Sequence, residues 1–360
     1  MGPDINGKHP RVPRLRRVDC SGPGYRRRKR GKGFEYLDSN GERVRDPETL
    51  ARIRNLVIPP AWSDVWICPH PNGHIQAIGT DAAGRKQYMY HEDWRRRRDA
   101  EKFEHMLDFA AALPGMRDRC SADLALDDYP RERVLACAVR LLDRGFFRIG
   151  TEGYAEQNQT YGLATMQKRH VTIDGRIITF DYRAKSGKRR VQSLVDPELL
   201  DVVKALKRRR SGGPELLAYR AGGAWVDVKS ADINLYVKDI TGGDFSAKDF
   251  RTWNATVLAA VALSVSGEAA KSATARKRAM SRAVQEVSHY LGNTPAVCRA
   301  SYIDPRVFDR YRSGWTISGA LEQLGEDRDF GEPAMQGPIE AAVLDLLRND
   351  TSSDALEKIA

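Results

Sequence analysis

The chain has 360 residues, 41% of them hydrophobic, which is enough for packed cores and too many for a disordered chain. Its formal net charge of +11 and pI near 9.4 favour a polyanionic partner. No stretch approaches the roughly 20 apolar residues of a spanning helix, so a membrane role is not expected.

The charge is uneven. Between Glu322 and Lys358 ten acids face three bases, which leaves residues 1–321 carrying +18. Five scattered cysteines form no C-x-x-C pair, and the seven histidines lack ligand spacing, His70 and His74 having no third ligand nearby. A reducing, cytoplasmic setting and no structural metal follow. The basic N-terminus has no apolar segment behind it and does not read as a signal peptide.

Residues 1–15 are polar and contain proline, and they read as a mobile arm. Lys8 to Lys32 holds eleven lysines and arginines against the single acid Asp19, a run that is either solvated or lies along phosphates. Phe34–Leu37 and Glu42–Val44 flank Asn40-Gly41, a hairpin turn signal. Asp46-Pro47-Glu48 opens a short helix that ends before Ile58-Pro59-Pro60. Val65–Cys68, His74–Ile78 and Arg85–His91 read as strands, and period-2 geometry puts Lys86, Tyr88 and Tyr90 on one face. That face either covers a small β core with wet hydroxyls or contacts a ligand.

From Trp94 the pattern is helical. Pro130 suits a helix start, and Val134, Leu135, Ala138, Leu141 and Leu142 form an apolar stripe that leads to Phe146-Phe147-Arg148. A β insertion follows, with strands at His170–Ile173, Arg176–Arg183 and Arg189–Val195 separated by Asp174-Gly175 and Ser186-Gly187 turns. Asp196-Pro197 caps the next helix, and Ser246 with Asp249 makes a capping-box start for a helix through Val265. Ala273–Tyr290 is a further helix, broken by Gly292. The tail from Ile317 contains Gly and Pro breaks and one short helix, Pro338–Leu347.

The fold expected is α+β: a small β-rich N-terminal domain and a mainly helical domain with a β-hairpin insertion. The boundaries expected are an arm over 1–15, a β-rich domain over 16–98, a mainly helical domain over 99–316, and an acidic tail over 317–360.

Four residues stand out as an ordered set: Arg148 in Phe-Phe-Arg-Ile-Gly, Lys185 in Arg-Ala-Lys-Ser-Gly-Lys, Arg251 in Asp-Phe-Arg-Thr-Trp, and Tyr302 closing Leu291–Tyr302. Transesterification at phosphorus needs an in-line nucleophile, stabilised nonbridging oxygens and a proton for the leaving oxygen. A tyrosine whose pKa falls near cations supplies the first, and arginines suit the second through bidentate, permanently charged contacts. A lysine can surrender the proton. No single one of these is specific, in a chain with 13 tyrosines and 59 lysines plus arginines.

The segments around Gln87-Tyr88, Arg148, Lys185, Arg251 and Asn293–Tyr302 resemble the poxvirus-like type IB DNA topoisomerases, in particular their bacterial branch, from about Arg16 to Trp315. The resemblance implies a two-domain enzyme that relaxes supercoiled double-stranded DNA as a monomer, without cofactor, metal or ATP. It implies Tyr302 as the nucleophile forming a 3′-phosphotyrosyl link, Arg148 and Arg251 as clamps on the scissile phosphate, and Lys185 as the acid toward the 5′ oxygen. Asn293 stands where the poxvirus enzymes have histidine, and it can donate a hydrogen bond but not as a charged group. Gln87, Tyr88, Tyr90, Tyr154 and Lys248 match DNA-contacting positions. A tyrosine site-specific recombinase shares the chemistry. The strand-rich N-terminal region and the absence of a His-x-x-Arg box at Arg251 count against it. A noncatalytic DNA-binding protein is the remaining alternative.

Overall fold

The computed structural model describes residues 14–267, 272–322 and 335–359, apart from the side chain of Tyr154. Residues 1–13 of the expected arm lie outside the described residues, as does the central part of the acidic tail, 323–334. The chain divides into two compact units between Lys102 and Phe103.

The first unit is built on a five-stranded antiparallel sheet in the order β2-β1-β3-β4-β5, comprising β1 (Tyr25–Arg30), β2 (Gly33–Leu37), β3 (Ser63–Ile67), β4 (Ile75–Thr80) and β5 (Lys86–Tyr90). Strand β1 lies inside the basic run, where no strand was expected. Arginines occupy both of its faces, so the period-2 signal is invisible in hydropathy. The hairpin expected about Asn40-Gly41 forms as a short antiparallel bridge, Leu37 to Arg43, with Asp38 N donating to Glu42 O at 2.8 Å and Val44 N to Tyr36 O at 2.9 Å, while β2 ladders with β1 along its other edge. Helix α1 (Pro47–Asn55) starts where Asp46 accepts from the Thr49 amide at 2.8 Å, as its Asp-Pro signal predicts.

Register sorts the two faces of this sheet. Arg26 pairs with Trp66, Trp66 with Ile78, and Ile78 with Tyr88, so these four form one row across it. Strand alternation adds Arg28, Arg30, Lys86 and Tyr90 to the same face. The opposite face buries Val65, Ile67 and Ala77 against Ile53 of α1.

Helix α2 (Glu92–Leu124) carries the chain across the unit boundary. The second unit then runs through α3 (Arg131–Gly145), α4 (Glu152–Asn158), the antiparallel sheet β6 (Val171–Asp174), β7 (Ile177–Arg183) and β8 (Arg189–Val195), and α5 (Pro197–Arg208). A hairpin of β9 (Ala218–Ala221) and β10 (Ala224–Asp227), which the sequence reading missed, turns at Gly222-Gly223, both left-handed. Helices α6 (Ser230–Thr241), α7 (Ala247–Val265), α8 (Ala273–Leu291), α9 (Pro295–Ser301) and α10 (Pro305–Arg312) follow. The C-terminal part is β11 (Trp315–Thr316), α11 (Ser318–Glu322), α12 (Pro338–Arg348) and β12 (Glu357–Lys358), with β11 paired to β12.

One core holds this unit together. Helix α3 buries nearly every side chain from Val134 to Leu142, and Phe147, Phe180, Trp253, Val287 and Tyr311 belong to the same core. The C-terminal segment joins the same core through Ile339, Ala342, Val343, Leu346 and Leu347 of α12.

In the first unit, buried Gln76 holds the His70–Gly73 loop by donating to the carbonyls of His70, Pro71 and Gly73, while its own oxygen accepts from Arg52. Gln76→Leu removes the amide without emptying the site. It is expected to cost about 1–3 kcal/mol through carbonyls left unpaired, read as a lower midpoint in thermal or urea unfolding.

Candidate active site

The site is assembled on the C-terminal ends of α3 and α8. A helix end leaves carbonyls without intrahelical partners, and burial requires that something else donate to them. At α8 the chain closes with Gly292 in the left-handed region (φ 62°), its amide bonding His289 O and the Asn293 amide bonding Ser288 O. Three arginines also donate to the carbonyls of this end, one of these carbonyls being shared with Gly292 N. Arg190 on β8 donates to His289 O at 2.9 Å and Tyr290 O at 2.5 Å, Arg251 to Leu291 O at 2.9 Å, and Arg148 to Gly292 O at 3.1 Å.

Arg251 also spans to the other helix, donating to Phe146 O at 2.8 Å just beyond the end of α3. It is 5% exposed, and its Nε has no hydrogen-bond partner. Burial first, then the nearby Arg148 charge, pull its pKa down to about 10, which leaves it charged at neutral pH. Arg148 extends from the strand-like segment after α3. That segment is tied to the chain at Gly162–Ala164, where Leu163 N donates to Arg148 O at 2.8 Å and Ala164 N to Ile149 O at 2.7 Å.

Tyr302 lies at the corner between α9 and α10. Helix α9 starts at Thr294-Pro295, with the Thr294 hydroxyl accepting from Val297 N, and Asp304 caps α10 through Arg306 N. Thr256 of α7 fixes the corner by donating to Tyr302 O at 3.3 Å and accepting from Asp304 N at 3.1 Å. The half-buried Tyr302 ring faces Arg251, whose Cζ is 5.3 Å from the ring centroid. Burial alone would raise the phenol pKa. The charges of Arg251 and Arg148, with Arg251 and Asn293 also in reach of the hydroxyl, outweigh that and hold it below the ordinary value.

Asn293 is bifunctional here. Its Oδ1 accepts from Arg148 Nη2, while its Nδ2 is buried without a partner. Cys298 is buried alongside, and burial pushes its thiol pKa up, keeping it neutral. Arg148, Arg190, Arg251 and Asn293 share the wall of a cavity of about 450 Å³ with Lys185, which sits on the exposed turn between β7 and β8. The turn is tight because Ser186 (φ 65°) and Gly187 (φ 71°) are both left-handed.

Thus the structure brings Arg148, Arg251, Asn293 and Tyr302 together, and Lys185 lines the cavity that Asn293 and both arginines line, whereas Tyr302 is not on its wall. Lys248 is exposed one turn before Arg251 on α7 and does not line that cavity. Tyr154 belongs to α4, and its side chain lies outside the described residues. In the first unit Tyr88 and Tyr90 are exposed and stacked with centroids 6.2 Å apart, whereas Gln87 points to the other face and donates to Asp81. Arg190 was missed in the sequence, hidden in Lys188-Arg189-Arg190. Alternation counted back from half-buried Leu194 and Gln192 would have placed it on the inner face, while Arg189 points out to Asp181.

Two arginines stand around a half-buried phenol of lowered pKa, with buried donors left without partners, an arrangement suited to an anionic ligand. The comparisons with known proteins are narrower. Residues 91–324 match the family model described as eukaryotic DNA topoisomerase I, catalytic core, and residues 33–81 match that described as bacterial DNA topoisomerase IB, N-terminal domain. DNA topoisomerase 1B of Acanthamoeba polyphaga mimivirus is 31% identical over 296 residues, 80% of this chain and 87% of that protein. DNA topoisomerase 1 of Daucus carota is 26% identical over 160 residues, 44% of this chain and 19% of the carrot protein. The chain belongs to the type IB DNA topoisomerase family.

Two outcomes are expected from this geometry. Gly162→Ala would place a Cβ 2.5 Å from Gly150 N and 2.8 Å from Arg148 O, displacing the segment that carries Arg148. The overpacking should cost about 1–3 kcal/mol in unfolding experiments and lower activity at temperatures where the protein stays folded. Arg251→Ala removes the cation nearest the phenol. Tyr302 should then ionise at higher pH than in the parent, measured by ultraviolet difference titration against a Tyr302→Phe reference.

Proposed function

We propose that this chain relaxes supercoiled double-stranded DNA by cutting one strand through a 3′-phosphotyrosyl intermediate at Tyr302 and resealing it. The observation that carries the reading is the pair of buried, unpartnered donors, Arg251 Nε and Asn293 Nδ2, beside a phenol whose ionisation is already favoured. A buried donor without a partner costs about 1–3 kcal/mol, so a site that keeps two is suited to an anionic ligand that spends them.

In the cleavage step the ionised Tyr302 oxygen attacks phosphorus, forming the tyrosyl P–O bond as the P–O5′ bond breaks. Arg148, Arg251 and Asn293 donate to the nonbridging oxygens, where charge gathers in the transition state. Lys185 Nζ gives its proton to the departing O5′. Resealing reverses each transfer, with the 5′-hydroxyl as nucleophile and tyrosinate as leaving group. One phosphoester replaces another, so the cycle needs no nucleotide hydrolysis. The exposed face of Arg26, Arg28, Arg30, Lys86, Tyr88 and Tyr90 in the first unit supports backbone contacts to DNA, as does Lys248, exposed one turn before Arg251, while Tyr154 is proposed as a contact only from its place in the sequence. Gln87 is proposed as a DNA contact only through its position beside Tyr88. The protein acts as a monomer in the cytosol. No described helix is long and apolar enough to cross a membrane.

The decisive experiment traps the protein on a nicked or suicide duplex and maps the attached peptide. Covalent DNA on Tyr302, lost in Tyr302→Phe, is expected; an adduct elsewhere, or none, refutes the mechanism. A supercoiled plasmid lacking paired recombination sites should be relaxed, which a recombinase would not do. Lys185→Ala should slow cleavage by about 10²–10⁴-fold, the usual worth of a general acid, with much of the loss recovered on a substrate bearing a better 5′ leaving group.

A further inference from the structure

Helix α12 lies beyond the residues that either family model covers, yet it reaches the framework of the site. Glu340, 8% exposed, accepts from Arg117 Nη1 at 2.5 Å and Nη2 at 2.9 Å, from Trp253 Nε1 at 2.7 Å, and from Gly337 N at 3.1 Å. Arg117 in turn holds Asp143 by two bonds of 2.9 and 3.0 Å, and Gln336 donates to the same carboxylate at 2.8 Å. Asp143 belongs to the last turn of α3, three residues before Phe146 and five before Arg148. Trp253 is two residues past Arg251 on α7. A cross-rung joins the two helices directly, Asn254 Nδ2 donating to Asp143 O at 2.9 Å.

We infer that α12 is a latch that positions the site: through Glu340 and Arg117 it sets the end of α3 against α7, and with them Arg148 and Arg251 against Tyr302. The inference rests on the reading of Tyr302 chemistry proposed above. Adhesion of α12 does not require these charges. Ile339, Ala342, Val343, Leu346 and Leu347 already bury its apolar face, and a buried ion pair adds little stability over apolar packing of the same volume. What a fully bonded carboxylate–guanidinium network adds is a single register. Burial works against the Arg117 cation, and the two carboxylates outweigh it, keeping its pKa above the ordinary value. Glu340 and Arg117 touch no reacting atom and are positioning residues.

The test uses the full chain with three separate substitutions, Glu340→Ala, Trp253→Phe and Leu347→Ala. Each is measured for unfolding midpoint, affinity for duplex DNA, and single-turnover formation of the covalent adduct on a suicide substrate. Glu340→Ala and Trp253→Phe should form adduct about tenfold or more slowly while DNA affinity stays within about twofold, the signature of reacting groups displaced by a fraction of an ångström. Leu347→Ala, which loosens α12 without touching the polar network, should lower the midpoint and leave the adduct rate unchanged. Trp253→Phe keeps an aromatic side chain while removing the Nε1 donor, and decides the matter should Glu340→Ala not fold. An unchanged rate in a folded Glu340→Ala or Trp253→Phe protein overturns the latch, as does equal slowing by Leu347→Ala. Absence of adduct on Tyr302 in the unsubstituted chain would instead overturn the underlying reading, and the latch with it.

Discussion

Everything at this site depends on how two buried helix C-termini are satisfied. The ends of α3 and α8 each present carbonyls that lack backbone donors, and Arg251 bonds to both at once, to Phe146 O and Leu291 O. Each helix end carries roughly half a negative charge, an unfavourable neighbour for a phosphate. Three guanidiniums laid on those ends reverse the local sign. The same bonds that complete the helices also hold the cations still. A side chain that must cap a helix cannot swing away when the site is empty, so the positive charge is in place before any ligand arrives. That is the condition under which electrostatic stabilisation costs no reorganisation.

Asn293 fits into this scheme in a way histidine would not. It follows the left-handed Gly292, is anchored by its amide to Ser288 O, and offers Oδ1 to Arg148 while keeping Nδ2 for another acceptor. A protonated imidazole has two donors and no acceptor, and next to Arg148 it would add like-charge repulsion. The amide forgoes a charge toward phosphate but gains a fixed point for Arg148. In the proposed mechanism, the charge that an amide cannot bring to phosphate is partly offset by order in the neighbouring guanidinium.

Much of this frame was legible, and for local reasons. Asp46-Pro47, Asp196-Pro197 and Ser246 with Asp249 are helix starts whose chemistry lies within four residues, and each side chain caps the helix it precedes. The β insertion could be read from its turns. What could not be read depends on distant partners. Strand β1 is defined by its neighbours rather than by its own arginines, and the β9–β10 hairpin is too short to show a pattern. The ordered set of Arg148, Lys185, Arg251 and Tyr302 was visible because residue types and order suffice to suggest chemistry. The burial of Arg251, the role of Arg190 and the reach of Glu340 to Trp253 join positions 40 to 105 residues apart, and no local pattern encodes them.

The contrast between Lys185 and the arginines follows from what each is asked to do. Clamping a phosphate calls for permanent charge and fixed geometry, which buried guanidiniums on helix ends provide. Delivering a proton calls for a group that approaches the leaving oxygen, gives up its charge in the step and recovers it from solvent. In the proposed mechanism this part falls to Lys185, exposed on the turn between β7 and β8 and lining the cavity. A lysine buried among Arg148, Arg190 and Arg251 would be pushed toward its neutral form and have no proton to give. In the proposed mechanism, placing the acid on a β element separate from the clamps separates two electrostatic demands that one cluster of cations could not meet together.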